Sequence, residues 1–269
     1  MPRMPALPVS RFRPGLHVAP ASVPVEPSRA ARAVGYQGNS MTSSLASAQD
    51  STDEIVLYHY WRSSSSWRVR WALIYKGLPF RSVAVDLLKG EQRSESHRAR
   101  SPLSMVPVLH VDGIDLSESV AILEYLEETR PSPPLVPSCP RLRARMRQLV
   151  QIVVSDTQPL QNLSVLAHAE RLRPGPDARR SWAEEYIRRG LDAYEATLAL
   201  PELRAAGGPY SCGAHLTLAD LCLVPQCYNA RRQGIDIQDR WPQIAAIEAG
   251  CLAMDSGQRS APDACKPDA

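Results

Sequence analysis

Ile55-Val56-Leu57-Tyr58-His59-Tyr60-Trp61 is a β-branched and aromatic run, Ser63-Ser64-Ser65-Ser66 follows it, and Trp67, Val69, Trp71, Ala72, Leu73 and Ile74 then recur at roughly helical spacing as far as Gly77. The first run reads as a strand and the third as a helix closed by a glycine at C′. Ser82-Val83-Ala84-Val85 supplies a second strand. Strand, helix and strand in succession make a βαβ unit, whose strands lie parallel. Residues 86–101 are polar and charged and read as a loop with a weak helix. Met105-Val106-Pro107-Val108-Leu109-His110-Val111 is a strand that opens at a proline, Asp112-Gly113 is a hairpin turn signal, and Ile114-Asp115-Leu116 is the returning strand. Ser117-Glu118-Ser119 opens a helix through Ile122, Leu123, Tyr125 and Leu126, with a capping serine and an acid in its first turn.

The composition changes at Thr129-Arg130-Pro131-Ser132-Pro133-Pro134, where repeated proline excludes both helix and sheet ladder. Everything beyond reads as helix. Residues 140–168 form one long helix or a pair broken at Pro159, and residues 177–200 carry Trp182, Tyr186, Ile187, Leu191 and Tyr194 on one stripe. Thr217-Leu218-Ala219-Asp220 starts a further helix with a capping box that uses Asp, running to about Gln233, and a last helix runs from Trp241-Pro242 to about Met254. The expected organisation is an extension over residues 1–52, an α/β domain over 53–132, an all-helical domain over 139–255 and a flexible polar tail over 256–269.

Residues 1–52 hold seven prolines within the first 27 positions and keep no apolar period, so they cannot bury enough surface to offset their ordering entropy and are expected to be disordered. They are also rich in Arg and poor in acid, as transit peptides are. Residues 1–50 contain five Arg against Glu26 and Asp50, which accounts for the whole formal net charge of +3 and leaves the rest of the chain balanced. No basic surface for nucleic acid is implied. No apolar run is long enough to cross a membrane. The six Cys show no regular spacing, which suits a reducing, cytoplasmic setting, or an organelle matrix if residues 1–52 are a transit peptide. His59, His97, His110, His168 and His215 have no metal-ligand spacing and read as surface or packed residues.

The chemistry is expected where the serine run meets the helix. Unpaired backbone N–H groups and the helix dipole favour an anion there, and a serine hydroxyl adds a donor. Ser63 or Ser64 is thereby placed to hold a thiolate supplied by a bound ligand, lowering its pKa as helix N-termini do for cysteine. Val106-Pro107 is a candidate cis peptide that would expose the Val106 N–H and C=O to an incoming ligand backbone. Glu118-Ser119 is a second helix start, either a plain cap or a second anion site. Asp220 reads as a buried helix cap rather than a catalytic acid. Asn162-Leu163-Ser164 matches a glycosylation sequon but falls in a helical segment.

Trp61-Arg62-Ser63-Ser64-Ser65-Ser66-Trp67-Arg68-Val69-Arg70, Gln158-Pro159-Leu160-Gln161-Asn162-Leu163-Ser164-Val165-Leu166 and Leu218-Ala219-Asp220-Leu221-Cys222-Leu223-Val224-Pro225-Gln226 resemble three segments of the zeta-class glutathione transferases. The resemblance runs from about Ile55 to about Asp255. It implies a thioredoxin-like N-terminal domain followed by an all-α domain, a homodimer, and glutathione as coenzyme. By position it implies that Ser63 is the catalytic serine at the glutathione sulfur, with Ser64 and Ser65 beside it. It also implies that Gln92, Val106, Glu118 and Ser119 bind the tripeptide, and that Gln158, Asn162, Leu163 and Ser164 complete that site. Arg62 and Arg232 would hold the carboxylates of a small dicarboxylate substrate. Two positions depart from the class: Ser65 stands where cysteine is usual, and Glu118 where glutamine is common. The stretch 86–91 is about two residues shorter than in that class.

The implied activity is glutathione-dependent cis–trans isomerisation of maleylacetoacetate to fumarylacetoacetate in tyrosine and phenylalanine breakdown. The same residues would serve displacement of halide from small α-halo acids, isomerisation of maleylpyruvate, or glutathione binding without catalysis. Turnover separates these, because isomerisation conserves glutathione and conjugation consumes it.

Overall fold

A computed structural model describes residues 54–267, so the expected extension over residues 1–52 lies outside the described residues. Strand β1 (Val56–His59) leads into helix α1 (Ser64–Tyr75), strand β2 (Arg81–Ala84) and the short helix α2 (Glu95–Arg100). Strand β3 (Val108–Val111), strand β4 (Ile114–Ser117) and helix α3 (Ser119–Thr129) follow. The strands form one sheet in the order β2-β1-β3-β4. β1 and β2 are parallel, with Val56 opposite Arg81, as their helical crossover requires. β1 and β3 are antiparallel, as are β3 and β4. The β3–β4 turn places Asp112 at φ 51° and Gly113 at φ 76°, the two left-handed positions of a type I′ hairpin. This is the expected thioredoxin-like half.

The helix after β4 starts differently from the expectation. Ser117 ends β4, and the N-cap of α3 is Glu118, whose side chain makes no capping bond. Glu118 sits at φ 67°, a conformation that a non-glycine residue adopts only when its surroundings hold it there.

The linker after α3 is pinned. The Lys76 ammonium at the end of α1 donates to Glu127 Oε2 at 2.8 Å, to the Arg130 carbonyl at 2.8 Å and to the Pro133 carbonyl at 2.9 Å. Glu127 in turn accepts the Leu135 N–H on both oxygens at 3.1 Å.

The helical half comprises α4 (Pro140–Val154), α5 (Leu163–Leu172), α6 (Ala178–Leu198), α7 (Pro201–Ala206), α8 (Leu218–Arg232), α9 (Pro242–Ala253) and α10 (Asp255–Ser260). The segment 140–168 is broken, and a 3₁₀ turn at Pro159–Gln161 separates α4 from α5. Gly190 of α6 lies against that break, where a Cβ would meet Thr157 Oγ1 at 2.0 Å. Asp220 is fully buried and behaves as the expected cap. Its carboxylate accepts from the Ser211 N–H at 2.8 Å, from the Thr217 N–H at 2.8 Å and from Thr217 Oγ1 at 2.9 Å.

One feature extends the expectations and one corrects them. α1 is buried on nearly every face: Trp67, Val69, Trp71 and Leu73 are buried, and so are Arg68 and Arg70. It is enclosed by α3, α8 and α10. The polar stretch 256–269, expected to be flexible, forms α10 and a 3₁₀ turn at Pro262–Cys265 across its described residues. The reason lies on α1, whose buried donors need acceptors. Ser260 Oγ accepts from Trp67 Nε1 at 3.0 Å, the Ser260 carbonyl accepts from Arg70 Nε at 2.9 Å and Nη2 at 2.7 Å, and Ser256 Oγ accepts from Trp71 Nε1 at 3.2 Å.

Glu127→Ala leaves the fully buried Lys76 ammonium without its anion and is expected to lower unfolding free energy by about 3–5 kcal/mol. Lys76→Met, which removes the charge itself, is expected to cost less. Urea unfolding of the two variants checks this, and equal losses would contradict it.

Candidate active site

Ser63 is the N-cap of α1, and its Oγ accepts the Ser66 N–H at 3.3 Å. With a lone pair so occupied, the hydroxyl proton is free to point away from the helix. Among the described residues the Ser64 and Ser65 N–H groups have no acceptor, so the N-terminus of this 12-residue helix presents two amides and a hydroxyl to one point. That is an anion site. Ser64 is buried and its Oγ accepts from Asn229 Nδ2 of α8 at 2.9 Å. Ser65 Oγ donates to Gln158 Oε1 at 3.3 Å.

Gln158 draws the second half of the site in. Its Oε1 also accepts from Arg68 Nη2 at 3.4 Å, and its Nε2 donates to Asn162 Oδ1 at 3.1 Å. Arg68 Nη1 donates to Ser119 Oγ at 3.2 Å. Ser63, Ser64, Ser65, Ser119, Gln158 and Asn162 therefore belong to one connected neighbourhood built from three chain segments. Val106–Pro107 is cis. Among the described residues neither the Val106 N–H nor its C=O has a hydrogen-bond partner. Glu118 is exposed beside Ser119. Leu163 and Ser164 are exposed in the first turn of α5, and no side-chain bond among the described residues ties them to this neighbourhood. Gln92 lies in the 3₁₀ turn Glu91–Arg93, its Oε1 buried without a partner.

A cationic cluster borders the serines. Arg62 stacks over Trp61 with its guanidinium carbon 5.4 Å from the ring centre, and Lys266 Nζ lies 5.8 Å from the same ring. Partial burial holds the Arg232 guanidinium below its ordinary pKa, and the charge of Arg62 beside it pushes the same way. The two arginines, 170 positions apart in sequence, are thus near enough for one charge to act on the other, and among the described residues neither pairs with a carboxylate. Arg231 differs: it grips Glu248, which is only 3% exposed, through both guanidinium nitrogens.

His59 is buried and pushed down to about 4 by burial and by the adjacent Arg70. Arg70 Nη1 donates to His59 Nδ1 at 3.1 Å, so the ring is neutral and structural. A cavity of about 350 Å³ lined by residues including Pro134, Cys139, Cys212 and His215 shares no residue with the serine neighbourhood. Sequence reading assigned no role to Asn229, Arg68 or Lys266. The roles of the first two leave no local signal, because their partners lie 165, 51 and 90 residues away.

Residues 53–128 match the family described as glutathione S-transferase, N-terminal domain. The chain is 46% identical over 216 residues to a maleylacetoacetate isomerase of Rhizobium meliloti (strain 1021), covering 80% of this chain and 99% of that protein. The crystal structure of a maleylacetoacetate isomerase from Anaeromyxobacter dehalogenans 2CP-1, with glutathione bound in its active site, is 45% identical with a TM-score of 0.70, covering 80% of this chain and 98% of that one. The holo structure of a maleylpyruvate isomerase, a bacterial zeta-class glutathione transferase, is 39% identical with a TM-score of 0.75, covering 80% of this chain and 100% of that one.

Ser63→Ala removes the outward hydroxyl and is expected to lower glutathione-dependent turnover on the order of 10²-fold or more. Ser65→Ala, whose hydroxyl is already given to Gln158, is expected to cost less. Steady-state rates of the two variants decide, and equal losses would overturn the separate roles.

Proposed function

This chain belongs to the zeta class of the glutathione S-transferase family, and we propose that it is a glutathione-dependent isomerase converting maleylacetoacetate to fumarylacetoacetate. The observation that carries the substrate class is the Arg62–Arg232 pair, two guanidiniums near enough for one charge to act on the other, neither paired with a carboxylate among the described residues. A dicarboxylate supplies the missing charge, and each guanidinium can grip a carboxylate through two parallel hydrogen bonds. Lys266, with Nζ 5.8 Å from the Trp61 ring centre, adds to the same field.

The residues fit a bound tripeptide thiol. The unpaired Val106 N–H and C=O suit a peptide backbone, and the free amides of Ser64 and Ser65 suit an anionic sulfur. Bound glutathione supplies a thiolate that adds to the conjugated double bond, lets the resulting single bond rotate, and is eliminated unchanged. Ser63 donates to the sulfur and keeps it ionised, aided by the α1 dipole. Arg62 and Arg232 hold the substrate in place while charge builds on its oxygens, which such fixed donors stabilise. Ser65, which replaces the usual cysteine, holds Gln158, so the chain supplies no thiol at this position.

A second reading, isomerisation of maleylpyruvate, is favoured by the 39% identity to an enzyme of that name. It uses the same residues and differs in substrate. The protein is read as a homodimer, because Leu103, Met105 and Ile114 stand exposed around β3 and β4. It is read as cytoplasmic because all six cysteines are free thiols.

Protein, glutathione and maleylacetoacetate together are expected to lose substrate absorbance while free thiol stays constant. Stoichiometric thiol loss would instead indicate a transferase or dehalogenase, and faster turnover of maleylpyruvate would favour the second reading.

Arg232→Ala is expected to raise KM for the diacid roughly 10–100-fold, the range for a charge-assisted hydrogen bond, with glutathione affinity nearly unchanged. Arg232→Lys should recover part of the loss, since an ammonium cannot make the bidentate contact. An unchanged KM, or an equal loss of glutathione binding, would refute this role.

A further inference from the structure

Arg68 is a buried cation without an anion. It is 1% exposed, its Nε is buried with no partner, and its remaining bonds go to the neutral Ser119 Oγ and Gln158 Oε1. Among the described residues no carboxylate pairs with it, and Glu118, next to Ser119, is exposed and makes no bond to it. Arg70, two residues on, is as buried but has the Ser260 carbonyl, the Trp61 carbonyl and His59 Nδ1 as acceptors. An isolated buried charge is costly unless something compensates it, and in the folded chain Arg68 lacks that compensation.

Its bonds also have a direction. A guanidinium only donates. By filling a lone pair of Ser119 Oγ, Arg68 leaves the Ser119 hydroxyl proton for an acceptor outside the chain. At Gln158, Arg68 and Ser65 both donate to Oε1, which fixes the amide with Nε2 toward Asn162 Oδ1. The Asn162 amide N–H₂ has no acceptor among the described residues. Each step converts an ambivalent polar group into an unclaimed donor, and Ser119 stands at the first residue of the 11-residue α3, whose amides and dipole act in the same sense. A neighbourhood of unclaimed donors beside a buried positive charge suits a carboxylate.

We propose that Arg68 is a positioning residue that acts through Ser119 and Gln158 to make this neighbourhood a receptor for one carboxylate of the coenzyme. It rests on the reading of glutathione as that coenzyme. Glutathione carries two carboxylates, on its γ-glutamyl and glycyl ends, and either amide derivative removes one of them.

The test titrates the full-length native chain and its Arg68→Met and Arg68→Lys variants with glutathione and with each of its two monoamides, by calorimetry at neutral pH. Arg68→Met is expected to fold with a Tm at or above the native value, because it removes an unpaired buried charge. It is expected to bind glutathione roughly 10–100-fold more weakly, as for loss of a charge-assisted contact. The penalty should disappear for one monoamide and persist for the other, and Arg68→Lys should recover part of it. A penalty of the same size on all three ligands marks a merely structural role and overturns the proposal, as does no penalty. If Arg68→Met does not fold, Arg68→Gln carries the same comparison. A native chain that binds glutathione without isomerising maleyl substrates sinks the functional reading and leaves the role of Arg68 standing. A native chain that binds no glutathione overturns both.

Discussion

Helix α1 has almost no side that faces water, so most polar groups on it take partners inside the protein. That constraint organises most of what surrounds it. Trp67, Arg70 and Trp71 donate to Ser260 and Ser256, which holds α10 against the helix. Lys76, at the far end, collects Glu127 and two linker carbonyls, which sets the path of the chain from the sheet half to the helical half. Arg68 reaches Ser119 and Gln158. One helix thereby fixes the start of α3, the break between α4 and α5, the linker and the C-terminal segment.

The same enclosure explains why the chemistry sits at the N-terminus of α1. The body of the helix is closed on its flanks, so its free amides open only at Ser63–Ser65. The groups that frame that opening come from elsewhere: Asn229 and Arg232 from α8, Gln158 and Asn162 from the break before α5, Ser119 from α3 and Lys266 from beyond α10. The described chain balances acids and bases nearly evenly, yet Arg62, Arg68 and Arg232 gather near this opening without acidic partners. Uncompensated charge of one sign is tolerated where a ligand of the other sign is to be received, and here that points to thiolate and carboxylate together.

Some of this was plain from residue order. The βαβ unit, the Asp112-Gly113 hairpin, the proline linker and the capping box of Thr217 and Asp220 all depend on local backbone preferences, which neighbouring residues set. The serine run at a strand-to-helix junction marked the anion site for the same reason. Spacing marked α1 as a helix but not how fully it is enclosed, because a helix buried on nearly every face has no polar stripe to read. Periodicity failed after Asp255, where a polar segment without apolar rhythm is ordered by donors on a helix about 190 residues earlier.

By itself, then, the sequence determined the elements, their order, the parallel pairing of the first two strands and the place where an anion is held. The tertiary structure alone decided which side chains face that place. Arg232 beside Arg62, Asn229 on Ser64, Lys266 over Trp61 and Arg68 between Ser119 and Gln158 are pairings across tens to hundreds of residues. The physical reason is that turn and helix preferences act over a few neighbouring residues. The need of a buried donor for an acceptor is met by whatever the packed core brings within 3 Å or so.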